Sequence, residues 1–326
     1  MRHGLHLLFP GILAILGAFP ARALPPLTIY PIYGDDDRRD VDQTQDARLR
    51  RIAESVPALV QAQNISCPVS GECSLESAPY ESAYLGVPAR GSRPRRYDDL
   101  PLRPGTRFYG QPSVASCSGA LIAPDLVLTA GHCLKADDSC ADIKFVFGFL
   151  ERNGSVRTNI PRGEIYSCAA AVRRRQDLYF DLDRYVDFAI VRLDRPVRDH
   201  PPLEISGSDA PSEGTPVLLM GYPDGLPLKI AANAVVQGVG KTLFVANLDG
   251  FHGNSGGPVF NARTLKIVGI EVTEPQSEDY ARSGRDHLIP RRHPDHPSRP
   301  SLLLGVTRVS VVLPYIRELL QDDSSL

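Results

Sequence analysis

Gly253-Asn254-Ser255-Gly256-Gly257-Pro258 places a serine at the centre of a glycine turn, with the apolar run Val259-Phe260 directly behind it. A serine hydroxyl is a weak nucleophile until a nearby imidazole takes its proton and a buried carboxylate orients that imidazole. The same turn can aim main-chain N–H groups at the oxyanion that forms on a carbonyl under attack. Glycine reaches the backbone conformations such a turn demands. Upstream, Leu128-Thr129-Ala130-Gly131-His132-Cys133 offers the imidazole, because His132 follows a strand-like run and precedes a cysteine, unlike the other histidines. Asp187 offers the carboxylate; Ala189-Ile190-Val191 reads as a buried strand directly after it, which sets it apart from Asp181, Asp183 and Asp194. A Gly-x-Ser-x-Gly pattern also opens the nucleophile elbow of α/β-hydrolases, but that fold needs a helix after the serine and the acid and histidine downstream. Here Pro258 and a strand follow, and both partners precede Ser255.

Four blocks occur in one order: Cys117-Ser118-Gly119-Ala120-Leu121-Ile122 leading to Thr129-Ala130-Gly131-His132-Cys133; Asp187-Phe188-Ala189-Ile190-Val191-Arg192-Leu193; Gly253 to Phe260; and Ile267-Val268-Gly269-Ile270. Together, over about Phe108 to Leu320, they resemble the chymotrypsin-fold (trypsin-like) serine peptidases, in particular secreted bacterial members. The resemblance implies an all-β fold of two six-stranded antiparallel barrels, with the active site between them and a helix at the C-terminal end. It implies a serine endopeptidase that cleaves polypeptides through an acyl-enzyme: Ser255 as nucleophile, His132 as general base and then acid, and Asp187 as the orienting carboxylate. Gly253 and Ser255 would supply the oxyanion-hole N–H groups, and a Cys117–Cys133 disulfide would close the loop beside the histidine. This chemistry asks for no cofactor and no metal. A peptidase-like binding protein without activity is the rival reading.

One departure has a consequence. Residue 254 is asparagine, where animal trypsins keep an aspartate that pairs with a new N-terminal amine after activation; an amide cannot form that ion pair. Substrate preference is drawn from Asp249, six residues before Ser255, and Glu271 on the strand after Val268-Gly269-Ile270. Two acids suit a basic side chain. Leu248-Asp249-Gly250-Phe251-His252 lacks the cysteine usual in animal trypsins, so a glutamyl or other non-basic preference is the alternative.

The formal net charge of −2 gives no electrostatic argument for nucleic acid or an anionic membrane. The arginine clusters at 93–96, 173–175 and 291–292 read as solvated loops. Arg2, His3 and His6 precede an apolar run from Leu7 to Phe19, and Ala21-Arg22-Ala23 supplies a small-x-small cleavage pattern. That run is shorter than the roughly 20 residues of a membrane span. We expect a removed signal peptide over 1–23 and a secreted or periplasmic monomer with no membrane partner. Six cysteines in an exported chain point to disulfides, and their spacing alone allows many pairings.

Residues 24–100 form an N-terminal segment, either a propeptide cut near Arg95-Arg96 or the start of the mature enzyme. Within it Leu49, Ile52, Ala53, Val56, Leu59 and Val60 fall at helical spacing. The first barrel, with His132 and Asp187, is expected over 101–205, and the second, with Ser255 and a helix over Val309 to Leu320, over 206–326. Short apolar runs between Gly, Pro, Asp and Asn clusters carry the β assignment, among them Leu126 to Leu128, Phe188 to Leu193, Val217 to Met220 and Ile267 to Val272. The stretch Glu274 to Ser301, with His293 and His296, reads as an exposed Pro- and His-rich loop rather than a metal site. Asp35 to Asp37 reads as a solvated acidic turn.

Overall fold

The structure is a computed structural model that describes residues 32–83, 100–135, 137, 139–178, 181–207, 210–273, 280–284, 287–293 and 303–323. The expected signal peptide, the Arg95-Arg96 pair and His296 lie outside those residues.

The first barrel is built from β2 (Ala58–Gln61), β3 (Cys117–Ser118), β4 (Ala120–Ala123), β5 (Leu126–Thr129), β6 (Ile143–Val146), β7 (Ile165–Asp177) and β8 (Val186–Leu193), after the short β1 (Arg39–Asp40). Its order is β3-β2-β6-β7-β8-β5-β4. β3 and β4 are one path broken at Gly119, so six strands nearly close a circle. The second barrel comprises β9 (Pro216–Gly221), β10 (Lys229–Val239), β11 (Leu243–Ala246), β12 (Pro258–Asn261), β13 (Ile267–Thr273) and β14 (Leu304–Arg308). It runs β9-β12-β13-β14-β11-β10, a further β9–β10 pairing closes the circle, and β1 adds to its rim.

Side chains alternate across each strand, and here both faces are covered. On β8, Ala189, Val191 and Leu193 point into the first barrel with Leu59, Val127 and Phe145. Val186, Phe188 and Ile190 join the cluster outside it, which includes Val309, Val312 and Ile316 of α2 (Val309–Asp323). Burial on both faces is why these strands read as continuous apolar runs rather than an alternating pattern. The register Thr129↔Ala189 between β5 and β8 brings the turn after Thr129 level with the residues just before Ala189.

The structure departs from the sequence reading in four places, the first being that Asp35 to Asp37 is not a fully solvated turn, since the Asp36 side chain is 5% exposed and paired with Arg38. The helical spacing from Leu49 to Val60 splits into α1 (Ala47–Ala53) and then β2. Pro57 lies between them, and a proline pushes its predecessor out of the helical region. β2 therefore puts the N-terminal segment inside the first barrel, paired with β3 on one side and β6 on the other. Arg173 to Arg175 are no loop; they ride on β7 opposite Ile190, Ala189 and Phe188. Part of the 274–301 stretch is a hairpin, Tyr280–Ser283 with His287–Pro290, and Tyr280 and Leu288 are buried in a small core with Ile32, Tyr80 and Phe251. Three disulfides are present, Cys67–Cys73, Cys117–Cys133 and Cys140–Cys168.

The N-terminal segment is tied to the second barrel by a buried ion pair. Lys229 Nζ on β10 meets Asp40 on β1, donates to Gln111 Oε1 at 2.7 Å, and lies 4.5 Å from the centre of the Phe108 ring. Both charged side chains are almost fully buried. Burial pushes the Lys229 pKa down to about 8, with Asp40 opposing it. Because the unfolded chain keeps that proton to about pH 10.4, it binds more protons than the folded protein above about pH 8, and stability rises with pH through that window. Asp40→Asn should cost about 3 kcal/mol in chemical denaturation at pH 7, since it leaves a buried ammonium without its counter-charge. The penalty should shrink above pH 8 as the lysine loses its proton.

Candidate active site

β5 ends at Thr129, and the chain turns through a short 3-10 segment, Gly131–Cys133, that presents His132. The Cys117–Cys133 bridge fastens the far end of this turn to β3. Asp187, at the start of β8, is fully buried while the His132 side chain is 36% exposed. Asp187 Oδ2 lies 2.5 Å from His132 Nδ1, and Oδ1 accepts from the His132 main-chain N–H at 3.1 Å. A carboxylate that takes both the ring and the main chain of one residue fixes the ring plane. It also favours the tautomer with the proton on Nδ1, leaving the ring's free lone pair on Nε2. Thr307 on β14 secures Asp187 from behind: its hydroxyl donates to the Asp187 carbonyl at 3.1 Å and accepts from the Asp187 N–H at 3.3 Å.

Ser255 is brought next to Cys133, the residue after His132, by main-chain packing. Its carbonyl accepts from Ser118 N at 2.8 Å, and the Cys133 Sγ lies 3.5 Å from the same oxygen. Gly256 N donates to Glu271 O at 2.8 Å and Glu271 N to Gly257 O at 3.0 Å, which zips the turn to β13. Two glycines are required by the geometry. Gly256 has φ +82°, and a Cβ there would stand 2.2 Å from Thr129 Oγ1 and 2.3 Å from Ser118 O. Gly253 has φ +89°, and a Cβ there would stand 2.4 Å from Tyr222 O. Any side chain at either position would force the barrels apart or the turn out of shape.

Sequence reasoning missed Ser118. Its buried hydroxyl donates to Gly253 O at 2.7 Å and accepts from Tyr222 N at 3.0 Å, while its carbonyl accepts from Thr129 Oγ1 at 2.8 Å. One residue of the first barrel thus holds the nucleophile turn, the end of β9 and the strand that leads to His132. The only trace in the sequence is its place after Cys117. Thr307 was also missed, since it lies far from the motifs in the chain.

The two acids assigned to substrate binding lie in different places. Glu271 is fully buried on β13, one residue after Ile270, and its main chain is bonded to the nucleophile turn. Tyr185 beside it is held protonated, first by burial and then by the charges of Asp187 and Glu271. Asp249 is also buried, but its oxygens meet the chain's own N-terminal segment: Oδ1 accepts from Tyr33 N at 2.8 Å and Oδ2 from Asp37 N at 2.9 Å. Burial, and then the neighbouring Asp37 carboxylate, holds the Asp249 carboxyl well above the ordinary carboxylate range. Asp37 is raised mainly by the same burial. Asn254 is buried beside Gly221, 2% exposed. The one cluster of metal-ligand types among the described residues is Cys117, His132 and Cys133, and its sulfurs are joined in a disulfide.

Comparison with known proteins finds one family match and several distant relatives. Residues 117–270 match the family model described as a trypsin-like peptidase domain. A Lysobacter enzymogenes protein named a probable serine protease is 26% identical over 189 residues, which cover 52% of this chain; the chain spans 29% of that relative's length. Among solved structures, a Glu endopeptidase is 15% identical with a TM-score of 0.48, over 88% of this chain and 98% of the other. The VesB protease of Vibrio cholerae is 14% identical with a TM-score of 0.46, over 86% and 66%. With Ser255 and His132 both inside the matched span and the two barrels in place, the chain carries a trypsin-like peptidase domain of the chymotrypsin fold.

Proposed function

We propose that this protein is an exported serine endopeptidase in which Ser255, His132 and Asp187 hydrolyse peptide bonds through an acyl-enzyme. The observation that carries the reading is the buried Asp187 carboxylate, bonded to both the ring and the main chain of His132. In the first step Ser255 Oγ bonds to the substrate carbonyl carbon, the carbonyl π electrons move onto oxygen, and His132 Nε2 takes the serine proton. The Gly253 and Ser255 N–H groups stabilise that oxyanion. His132 then gives the proton to the departing amine as the C–N bond breaks. Water repeats the sequence on the ester and restores Ser255.

Export is supported by the three disulfides, which persist in oxidising compartments. No helix among the described residues is long and apolar enough to cross a membrane. The reading in which the residues from Tyr33 onward start the mature enzyme is supported by β2, a strand of the first barrel. Glu271 is the acid assigned to a basic substrate side chain. The occupied oxygens of Asp249 favour the second reading, a non-basic preference, and a peptide library separates the two.

The first test is a fluorophosphonate probe on the purified protein beside Ser255→Ala, followed by peptide mapping. Labelling of Ser255 that the alanine variant lacks is the expected outcome; a folded protein that never labels would instead be a silent binding module. Asp187→Asn should lower kcat by about 10⁴-fold while the protein still folds, because the imidazole is then held in the wrong tautomer. Glu271→Gln should reduce kcat/KM on Lys and Arg substrates by about a hundredfold relative to neutral ones, roughly 2.7 kcal/mol. An unchanged ratio would remove Glu271 from specificity.

A further inference from the structure

The carboxylate six residues before Ser255 has both its oxygens bonded to the protein's own backbone. Tyr33 N and Asp37 N reach Asp249 Oδ1 and Oδ2 at 2.8 and 2.9 Å. Between those two contacts and β1 lies Arg38, whose side chain is 1% exposed. Its guanidinium forms a two-pronged bond with Asp36, Nε to Oδ1 at 2.9 Å and Nη2 to Oδ2 at 2.8 Å. It also lies 4.0 Å from the centre of the Phe251 ring and 5.2 Å from that of Phe108. Such a cation-over-ring contact is strongest when water is excluded. The segment therefore grips Leu248 to Ser255 at two points, Asp249 and Phe251, and Phe251 O in turn accepts from Asn254 N at 3.1 Å.

The far side of the same turn is held as well. The Tyr80 and Tyr280 hydroxyls meet each other and Asp224 Oδ2, and Asp224 N donates to His252 O. Gly253 is thus fixed between the Tyr222–Gly225 corner and the Asp249–Phe251 stretch. Burying an ion pair and a further carboxyl group behind a turn is costly without partners. Here residues 33–40 supply them for Asp249 and for two of the three Arg38 guanidinium nitrogens, Arg38 Nη1 having none among the described residues.

We propose that Asp249 and Arg38 are positioning residues for the oxyanion turn: Asp249 anchors the segment Tyr33–Asp40 rather than binding a substrate side chain, and Arg38 wedges that segment under Phe251. The segment then supplies the ordering that a newly cut N-terminal amine cannot provide through Asn254. This role rests on the peptidase reading above. Its consequence is kinetic. The Gly253 N–H acts on charge that develops only in the transition state, so loosening the turn lowers kcat and leaves KM in place.

The test compares Asp249→Asn, Arg38→Met and Arg38→Lys in the full chain, on peptides matched except for Arg, Glu or Leu before the cleaved bond. Fluorophosphonate labelling rates and thermal melting are measured in parallel. The expected result is a fall in kcat of about 10²-fold, the scale of one lost oxyanion donor, equal across the three peptides, with KM within about twofold. Labelling should slow to match, and Arg38→Lys should recover part of the loss. Arg38→Met leaves the Asp249 hydrogen bonds intact and serves if Asp249→Asn does not fold. A loss confined to the Arg peptide would make Asp249 a specificity residue and overturn the proposal. A lower melting temperature with unchanged kcat would reduce both residues to stabilisers and overturn it too. A wild-type protein that neither labels nor cleaves refutes the peptidase reading itself, and this role falls with it.

Discussion

Main chain from both barrels closes to contact distance around Ser255, and the other features of the site follow from that constraint. At Gly256 the space left for a Cβ is already taken by Thr129 Oγ1 and Ser118 O. Interiors packed this tightly behave as solids rather than oil, so the turn's shape is set by the barrels that clamp it. The bonds Ser118 N to Ser255 O and Gly256 N to Glu271 O run to opposite barrels. The Ser255 turn therefore belongs to neither barrel alone, and rotation of one barrel against the other would tear it. The Cys117–Cys133 bridge lies at the same seam and fixes β3 to the His132 turn.

Charge burial is the second organising fact. Asp187, Asp249, Arg38, Lys229 and Asp40 are each at most 3% exposed, and a buried charge is tolerated only with partners in place. Asp187 finds them in His132, Lys229 in Asp40 and Gln111, and Arg38 in Asp36. The partners of Lys229, Arg38 and Asp249 come wholly or partly from residues 33–40. An N-terminal stretch with little apolar content is thereby held as firmly as a core strand. Its attachment depends on protonation as well as packing, since Asp37 and Asp249 are adjacent carboxyls that burial keeps above their ordinary range.

The parts of the fold that could be read from the chain are those where local signals and tertiary demands coincide. Runs such as Leu126–Thr129 and Val186–Leu193 are apolar because both faces are buried, so they stood out as strands. The glycine turn and Gly131-His132-Cys133 stood out because tight backbone geometry leaves few residue choices. What escaped was non-local. β7 carries Arg173 to Arg175 in mid-strand, and a charge run there reads as loop until its pairing with β8 is known. Leu59 and Val60 kept helical spacing by coincidence, and Pro57 decided otherwise. Ser118 and Thr307 act through hydrogen bonds to residues more than 100 positions away, and no spacing rule registers such contacts. Asp249 had the right distance from Ser255 for a pocket acid, but sequence distance carries no information about which way its oxygens point.

Those oxygens also bear on whether the segment ahead of β2 could be cut away. A chain that relied on a freed amine would need an acid at residue 254 and a mobile segment waiting to insert. Here residue 254 is a buried amide, and the chain from Tyr33 onward is already built in, through β1 on the second barrel and β2 within the first. A cut near Arg96 that discarded the preceding residues would strip β2 from between β3 and β6, opening the barrel that holds His132. It would also leave Lys229 as a buried charge, and Asp249 as a buried polar group, without their partners. A cut without release would leave two pieces hydrogen-bonded into the same barrels, with the turn around Ser255 still clamped. Because the segment is part of the scaffold of the turn, its removal would dismantle the turn rather than complete it.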